Sequence, residues 1–287
     1  MVYENLLDAV GNTRLVRVAP QIYAKMEKDN PGSSVKDRPV KEMILAAIKS
    51  GELTKGKIIL EATSGNTGIA LAMMGATIGY PVILTMSESV SVERRKLMTA
   101  YGAEIILTPG VEGTDGAIRK AREMMATDPE KYYYPDQFSN PNNPIAHIQT
   151  ANEIWEQTEG KVTHFVATIG TGGTIMGVSK RLRELNPKIQ IIEAQPTIGH
   201  KIQGLKNMQE SMVPKIYDET TPTSRIYVSD DDAFQTARDL ARMGHLVGMS
   251  SGAAMFAAMQ IILGKNDLAV VIFPDDGMKY LSTTLFV

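Results

Sequence analysis

No cysteine occurs among the 287 residues, which excludes a disulfide scaffold, a thiolate metal site and a cysteine nucleophile. No run of lysine and arginine could neutralise a line of phosphates, and 30 basic against 32 acidic residues leave a net charge of -2. Nucleic acid is therefore not an expected partner. The amino terminus, MVYENLLDAV, has acidic residues in place of a basic segment followed by an apolar one. No apolar stretch reaches the ~20 residues needed to span a bilayer, so a soluble cytoplasmic protein without a membrane partner is expected. Histidine is scarce: His147, His164, His200 and His245 lack i,i+4 spacing and acidic partners at ligand intervals, and no metal site is expected. There is no internal repeat.

What is present is a globular composition, with 43% hydrophobic and 22% charged residues. The length exceeds the usual single-core size and suggests one large or two interlocked α/β domains. Short β-branched runs alternate with segments of helical period, which predicts βαβ units and mostly parallel twisted sheets flanked by helices. KIILEA (57–62) leads into GNTGIALAMMGATIG (65–79), PVILTM (81–86) into VSVERRKLMTAYG (90–102), and AEIILT (103–108) into GTDGAIRKAREMMA (113–126). A proline-dotted stretch, YYYPDQFSNPNNPIAH (132–147), then breaks the rhythm and reads as a crossing between domains. THFVATI (163–169), a helix from about Gly173 to Leu185, IQIIEA (189–194) and LAVVIF (268–273) form a second α/β subdomain. Residues 196–224 show little periodicity and read as a functional or partly mobile loop. The 17 methionines fall mostly in helical patterns, as core filler. Asp230, Asp231 and Asp232 are assigned to a helix's first turn, where negative charge is favourable.

Three stretches carry candidate chemistry. GTGGT (170–174) follows an apolar strand and opens a helix, where glycines let the backbone close around a ligand and free N–H groups suit a phosphate. The dinucleotide fingerprint fails because Ile175 stands where its third glycine belongs, so a nucleotide is not the first choice. TSGNTG (63–68) concentrates more polar side chains at a helix start than one cap requires and reads as an anion-binding loop for a carboxylate. NPGSSVKDR (30–38) places one lysine at a helix start, which disfavours a cation. Such an amine would have a lowered pKa and attack an aldehyde more readily.

Together with GNT (11–13), DQFSN (136–140), SSGAA (250–254) and KYLST (279–283), these blocks occur in an order that resembles the cysteine synthase family of pyridoxal-phosphate enzymes. That family includes O-acetylserine sulfhydrylases and cystathionine β-synthases. The resemblance implies a two-domain fold of the tryptophan synthase β type. Its smaller, substrate-clamping domain would span residues 40–145, and its larger cofactor-binding domain residues 1–39 and 146–287. It implies pyridoxal 5′-phosphate as cofactor, with Lys36 forming the Schiff base and moving the Cα proton. Gly170, Thr171, Gly172, Gly173 and Thr174 would cradle the phosphate, Asn66 would bond the 3′ oxygen, and Ser250 would face the pyridine nitrogen. Thr63, Ser64, Thr67 and Gln137 would hold the substrate carboxylate. The implied partners are an amino acid, sulfide or another small nucleophile, and a second copy in a homodimer.

The implied reaction is β-elimination and β-replacement on cysteine or an O-activated serine through an α-aminoacrylate, which would make or consume cysteine. A serine beside the pyridine nitrogen is a neutral partner, which restrains delocalisation into the ring and favours loss of a β-substituent. Three departures stand out: Arg14 where a proline commonly follows GNT, a short segment between Val16 and Lys25, and GLKNMQESMVP (204–214) in place of a shorter glycine-rich loop. Lys206, Asn207, Gln209 and Glu210 bring polarity to that loop, which suggests a different second substrate or attack by water, cleaving cysteine to serine and hydrogen sulfide. His200 lies in the same entrance segment. A serine or threonine dehydratase and a non-catalytic scaffold of the same fold are the rival readings.

Overall fold

The computed structural model describes residues 2–88 and 92–286. The chain opens with β1 (Leu15–Ala19), β2 (Ile22–Met26) and α1 (Asp37–Ser50). It continues through β3 (Ile58–Ala62), α2 (Asn66–Ile78), β4 (Val82–Ser87), α3 (Val92–Ala100), β5 (Glu104–Thr108), α4 (Gly113–Thr127) and β6 (Tyr132–Tyr133). Then come α5 (Asn142–Ile145), α6 (His147–Gln157), β7 (His164–Thr168), α7 (Gly173–Leu185), β8 (Gln190–Pro196) and β9 (Ser224–Val228). Last are α8 (Asp230–Arg242), α9 (Met249–Met259) and β10 (Ala269–Phe273).

The strands form two sheets. One is parallel throughout, in the order β5-β4-β3-β6. The other runs β1-β2-β10-β7-β8-β9 and is parallel except at its β1/β2 edge. Every residue of β4 (VILTMS) and of β10 (AVVIF) is buried, as expected for strands covered by helices on both faces. α2 is buried along most of its surface, consistent with its small and apolar residues. It packs with Val40, Met43, Ile44, Ile59 and Leu84 in one core, while α8 and α9 cover the larger sheet through Ala237, Leu240, Ala253 and Ala257.

Four local readings are corrected or refined. The proline-dotted stretch does not lie wholly outside the sheets, because Tyr132 and Tyr133 pair with β3, and the break begins after them. The short segment after Arg14 is an antiparallel hairpin turning at Pro20 and Gln21. Gln21 adopts φ 59° and its side-chain amide donates to the carbonyls of Gly264 and Asp267 at 2.7 Å, which anchors the turn. Arg14 pairs with Asp29 at 2.7 Å, so the residue in proline's usual place has its own partner. In the 196–224 span, Asn207 is buried and donates to the Pro196 carbonyl, and Glu210 accepts from Gly199 N–H. Asn207 therefore serves the loop's own architecture instead of presenting polarity to a substrate, while Glu210 stays exposed. The second helix of the first subdomain is described from Val92, so residues 90–91 of that reading lie outside the described residues.

The candidate chemistry collects where strands end. TSGNT follows β3, GTGGT follows β7, and the Pro274-Asp275 turn follows β10, all at carboxyl ends of parallel strands. That is where open α/β sheets hold their ligands.

Candidate active site

Lys36 immediately precedes α1 in helical backbone geometry. The turn before it is tied to the end of β10, with Val35 N–H donating to the Pro274 carbonyl at 2.8 Å and Ser34 bridging Asp275. The residue is half-buried. Burial pushes the amine pKa below its ordinary value, and the Asp275 carboxylate opposes that shift. The sequence reading invoked the helix end for this direction, whereas the first cause here is burial.

Beneath this turn lies a buried ionic network. The Arg38 guanidinium spans Glu27 and Glu153, each at 2.7 Å, and Lys25 Nζ reaches Glu153 at 2.6 Å. The Gly11-Asn12-Thr13 block serves the same network: Asn12 N–H donates to Glu153, Thr13 Oγ1 to Glu27, and Gly11 N–H to Asn30 Oδ1. Its role is to seat the first turn of α1, and with it Lys36.

GTGGT forms the N-terminal end of α7. Gly172 has φ +89°, a left-handed conformation that turns the strand into the helix without a Cβ penalty. Gly173 is required by proximity, since a Cβ there would lie 1.9 Å from Asn143 Oδ1. The first-turn N–H groups have no partners within the helix and offer an anion site. Gly173→Ala is expected to weaken cofactor phosphate binding about tenfold or more, the effect of losing ~1.4 kcal/mol. Equilibrium titration of pyridoxal 5′-phosphate into the cofactor-free chain measures this, and an unchanged dissociation constant would refute the cradle.

TSGNT forms the start of α2. Its N-cap is Gly65, and no side chain caps the helix. The hydroxyls and amide of residues 63–67 are therefore not consumed by the cap that would be their ordinary role. Thr67 Oγ1 donates to Gln137 Oε1 at 2.7 Å, so the two carboxylate-binding candidates from separate segments meet. Asn143 extends this link. Its amide donates to the Gln137 carbonyl at 2.7 Å and to Thr171 Oγ1 at 3.2 Å, which joins the carboxylate loop to the phosphate cradle.

Asn66 is held from both sides. Lys279 Nζ donates to its Oδ1 at 3.0 Å and its Nδ2 donates to Asp275 at 2.8 Å. A lysine can only donate and a carboxylate only accept, so these partners settle which way the amide faces, and one Nδ2 hydrogen stays free. Ser250 is buried in the first turn of α9, which begins at Met249. His147 is buried, with Nδ1 3.1 Å from Thr150 Oγ1 and Nε2 3.3 Å from Thr174 Oγ1. Burial, then the charges of Arg38 and Lys36, hold its pKa well below the ordinary range. His147 thus borders the Gly170–Thr174 helix end through Thr174.

Asn143, His147, Asp275 and Lys279 hydrogen-bond the candidate residues and were not singled out in the sequence. The available signal was position: Asp275 lies two residues past the β10 run, after Pro274, and Lys279 opens the KYLST block. Lys206 Nζ lies 5.2 Å from the Phe138 ring centroid, beside the Gln137 segment, and so borders the same region. Among the described residues no group of three or more His, Asp or Glu is placed to hold a metal ion. The donor set fits pyridoxal phosphate: a lysine amine of lowered pKa for the aldehyde, a helix end whose close packing leaves no room for a Cβ for the phosphate, a fixed amide hydrogen for the ring oxygen and a buried serine at a helix start.

The family model for pyridoxal-phosphate dependent enzymes matches residues 6–275. The cysteine synthase of Aquifex aeolicus (strain VF5) is 50% identical, with 99% of this chain and 92% of that protein covered. The crystal structure of cysteine synthase from Entamoeba histolytica superposes with TM-score 0.94 at 39% identity, covering 100% of this chain and 91% of that one. A hydrogen sulfide-producing enzyme from Fusobacterium nucleatum superposes with TM-score 0.92 at 38% identity, covering 98% and 100%.

Proposed function

The chain belongs to the pyridoxal-phosphate dependent enzymes, and on that premise we propose that it is a cysteine synthase-like β-replacing enzyme. It would join an O-activated serine to sulfide. The observation that carries this reading is the convergence of a Lys36 amine of lowered pKa, the Gly170–Thr174 helix end and the Thr67–Gln137 pair. Pyridoxal phosphate, when bound, supplies an electron sink for negative charge at the substrate Cα. Lys36 anchors the cofactor aldehyde and moves the proton at Cα. Gly170, Thr171, Gly172, Gly173 and Thr174 hold the phosphate, Asn66 the 3′ oxygen, and Ser250 the pyridine nitrogen. Thr63, Ser64, Thr67 and Gln137 bind the substrate carboxylate and exclude water from the reacting carbon. We further propose that residues 40–145 act as the clamping domain against 1–39 and 146–287, in a cytoplasmic homodimer. Among the described residues no helix is long and apolar enough to cross a membrane.

A second reading, cleavage of cysteine by water to serine and hydrogen sulfide, is favoured by Lys206 beside the Gln137 segment and by the likeness to the Fusobacterium enzyme. Purified protein offered O-acetylserine with sulfide is expected to form cysteine. Cysteine offered alone is expected to release sulfide and serine only if the second reading applies. Absence of product from both incubations, and from O-phosphoserine and serine with sulfide, would reject β-replacement.

A further inference from the structure

Asp275 is the strongest unassigned group in the molecule. It is completely buried at the end of β10. Its Oδ2 accepts from Tyr280 Oη at 2.7 Å and from Asn66 Nδ2 at 2.8 Å, while its Oδ1 is buried without a hydrogen-bond partner. Oδ1 lies against Gly248, where a Cβ would come within 2.1 Å, so glycine at this N-cap lets the carboxylate approach the start of α9. That helix end favours negative charge. Two backbone ties, Ser34 with Asp275 and Val35 with Pro274, fix Asp275 relative to the turn that carries Lys36.

Resting on the functional reading above, we propose that Asp275 is a positioning residue: it supplies the fixed counter-charge of the Lys36 ammonium whenever that amine is released from the cofactor, and it orients Asn66. A buried carboxylate with an unused oxygen is costly unless a cation offsets it. Lys36 is the cation the catalytic cycle frees nearby. The Lys36 amine feels this carboxylate, which opposes the effect of burial. The other charged or titratable groups around the pair are Asp276, Lys279 and Tyr280 after β10, Arg94 from α3, Asp37 from α1 and His147 from α6. Lys279 is already committed to Asn66 and to the Gly32 and Ser33 carbonyls. Arg94 stacks on the Tyr280 ring at 5.1 Å.

The test exploits the chemistry of cofactor capture. The ammonium must first release a proton to solvent; the C–N bond then forms at the aldehyde carbon and its oxygen leaves as water. The pH midpoint of capture therefore reports the Lys36 amine. The cofactor-free full chain is mixed with pyridoxal 5′-phosphate across a pH series and quenched with borohydride, and the modified Lys36 peptide is quantified. Asp275→Asn is expected to move the midpoint to lower pH, because the group that favours the ammonium is gone. Tyr280→Phe withdraws a donor from the same carboxylate, leaves its charge less compensated and is expected to move the midpoint to higher pH. An Asp275→Asn midpoint equal to that of the wild type overturns the proposal. If Asp275→Asn does not fold, an unmoved Tyr280→Phe midpoint overturns it equally. Capture by the wild type at a residue other than Lys36 overturns the functional reading as well, which separates the two failures.

Discussion

Replacing Lys36 with alanine is expected to abolish covalent capture of pyridoxal phosphate and its absorption band, and to lower turnover by at least the ~10²–10⁴-fold that a positioned proton-transfer group contributes. The two losses have one origin, because the amine that anchors the aldehyde is also the group placed to move the Cα proton. The substitution leaves the scaffold intact. Lys36 contributes to α1 through its backbone, with Val40 N–H donating to the Lys36 carbonyl at 3.1 Å, and its side chain caps nothing. Removing an amine whose pKa burial lowers also relieves a desolvation cost. Thermal unfolding of the cofactor-free variant should remain a cooperative transition, shifted only by the loss of the Asp275 counter-charge. A variant that retained both the absorption band and turnover would end the assignment of Lys36, whatever the resemblance of the remaining blocks.

Arg38→Ala should have the largest effect on stability. Its guanidinium is buried between Glu27 and Glu153, and truncation leaves two carboxylates without their principal cation. Breaking a buried ion pair by removing one partner typically costs ~3–5 kcal/mol, because the remaining charge is stranded in a poor solvent. Glu153 also gives the effect a pH signature. Burial alone would raise its pKa, but Arg38 and Lys25 outweigh burial and hold the carboxyl down to about 2. A carboxyl depressed on folding stabilises the native state above the ordinary carboxylate range, and that stability drains away as pH falls toward the folded-state value. The variant should therefore lose more stability near neutrality than near pH 3. Denaturant unfolding of the cofactor-free chain at both pH values measures this. A loss below about 1 kcal/mol at neutral pH would show that Lys25 alone can satisfy Glu153 and that the network does not depend on Arg38.

The two predictions separate chemistry from scaffold within three residues of one helix start. In the proposed function Lys36 serves the site, while Arg38 is held in the interior network. The helical spacing between them explains the division, since residues two apart do not share a face.

The sequence by itself determined much of this protein. Apolar runs such as PVILTM and LAVVIF read as buried parallel strands, and the glycines at 170, 172 and 173 as a strand-to-helix turn able to hold an anion; the helix from Gly173 to Leu185 is found with those bounds. The period of apolar residues along the chain is a local property, so it survives without knowledge of what packs against it. What only the tertiary structure decided is which polar residues answer one another across long separations. Nothing local in LAVVIFPDDGMKYLST marks Asp275 as the partner of Asn66, 209 positions earlier. Nothing local in NPNNP marks Asn143 as the link between Gln137 and Thr171. The same limit misled the reading of the 204–214 loop, where Asn207 turned inward to satisfy the Pro196 carbonyl. Hydrogen bonding and charge pairing are set by the spatial convergence of strand ends, and a buried polar atom finds whichever partner the folded chain brings to it.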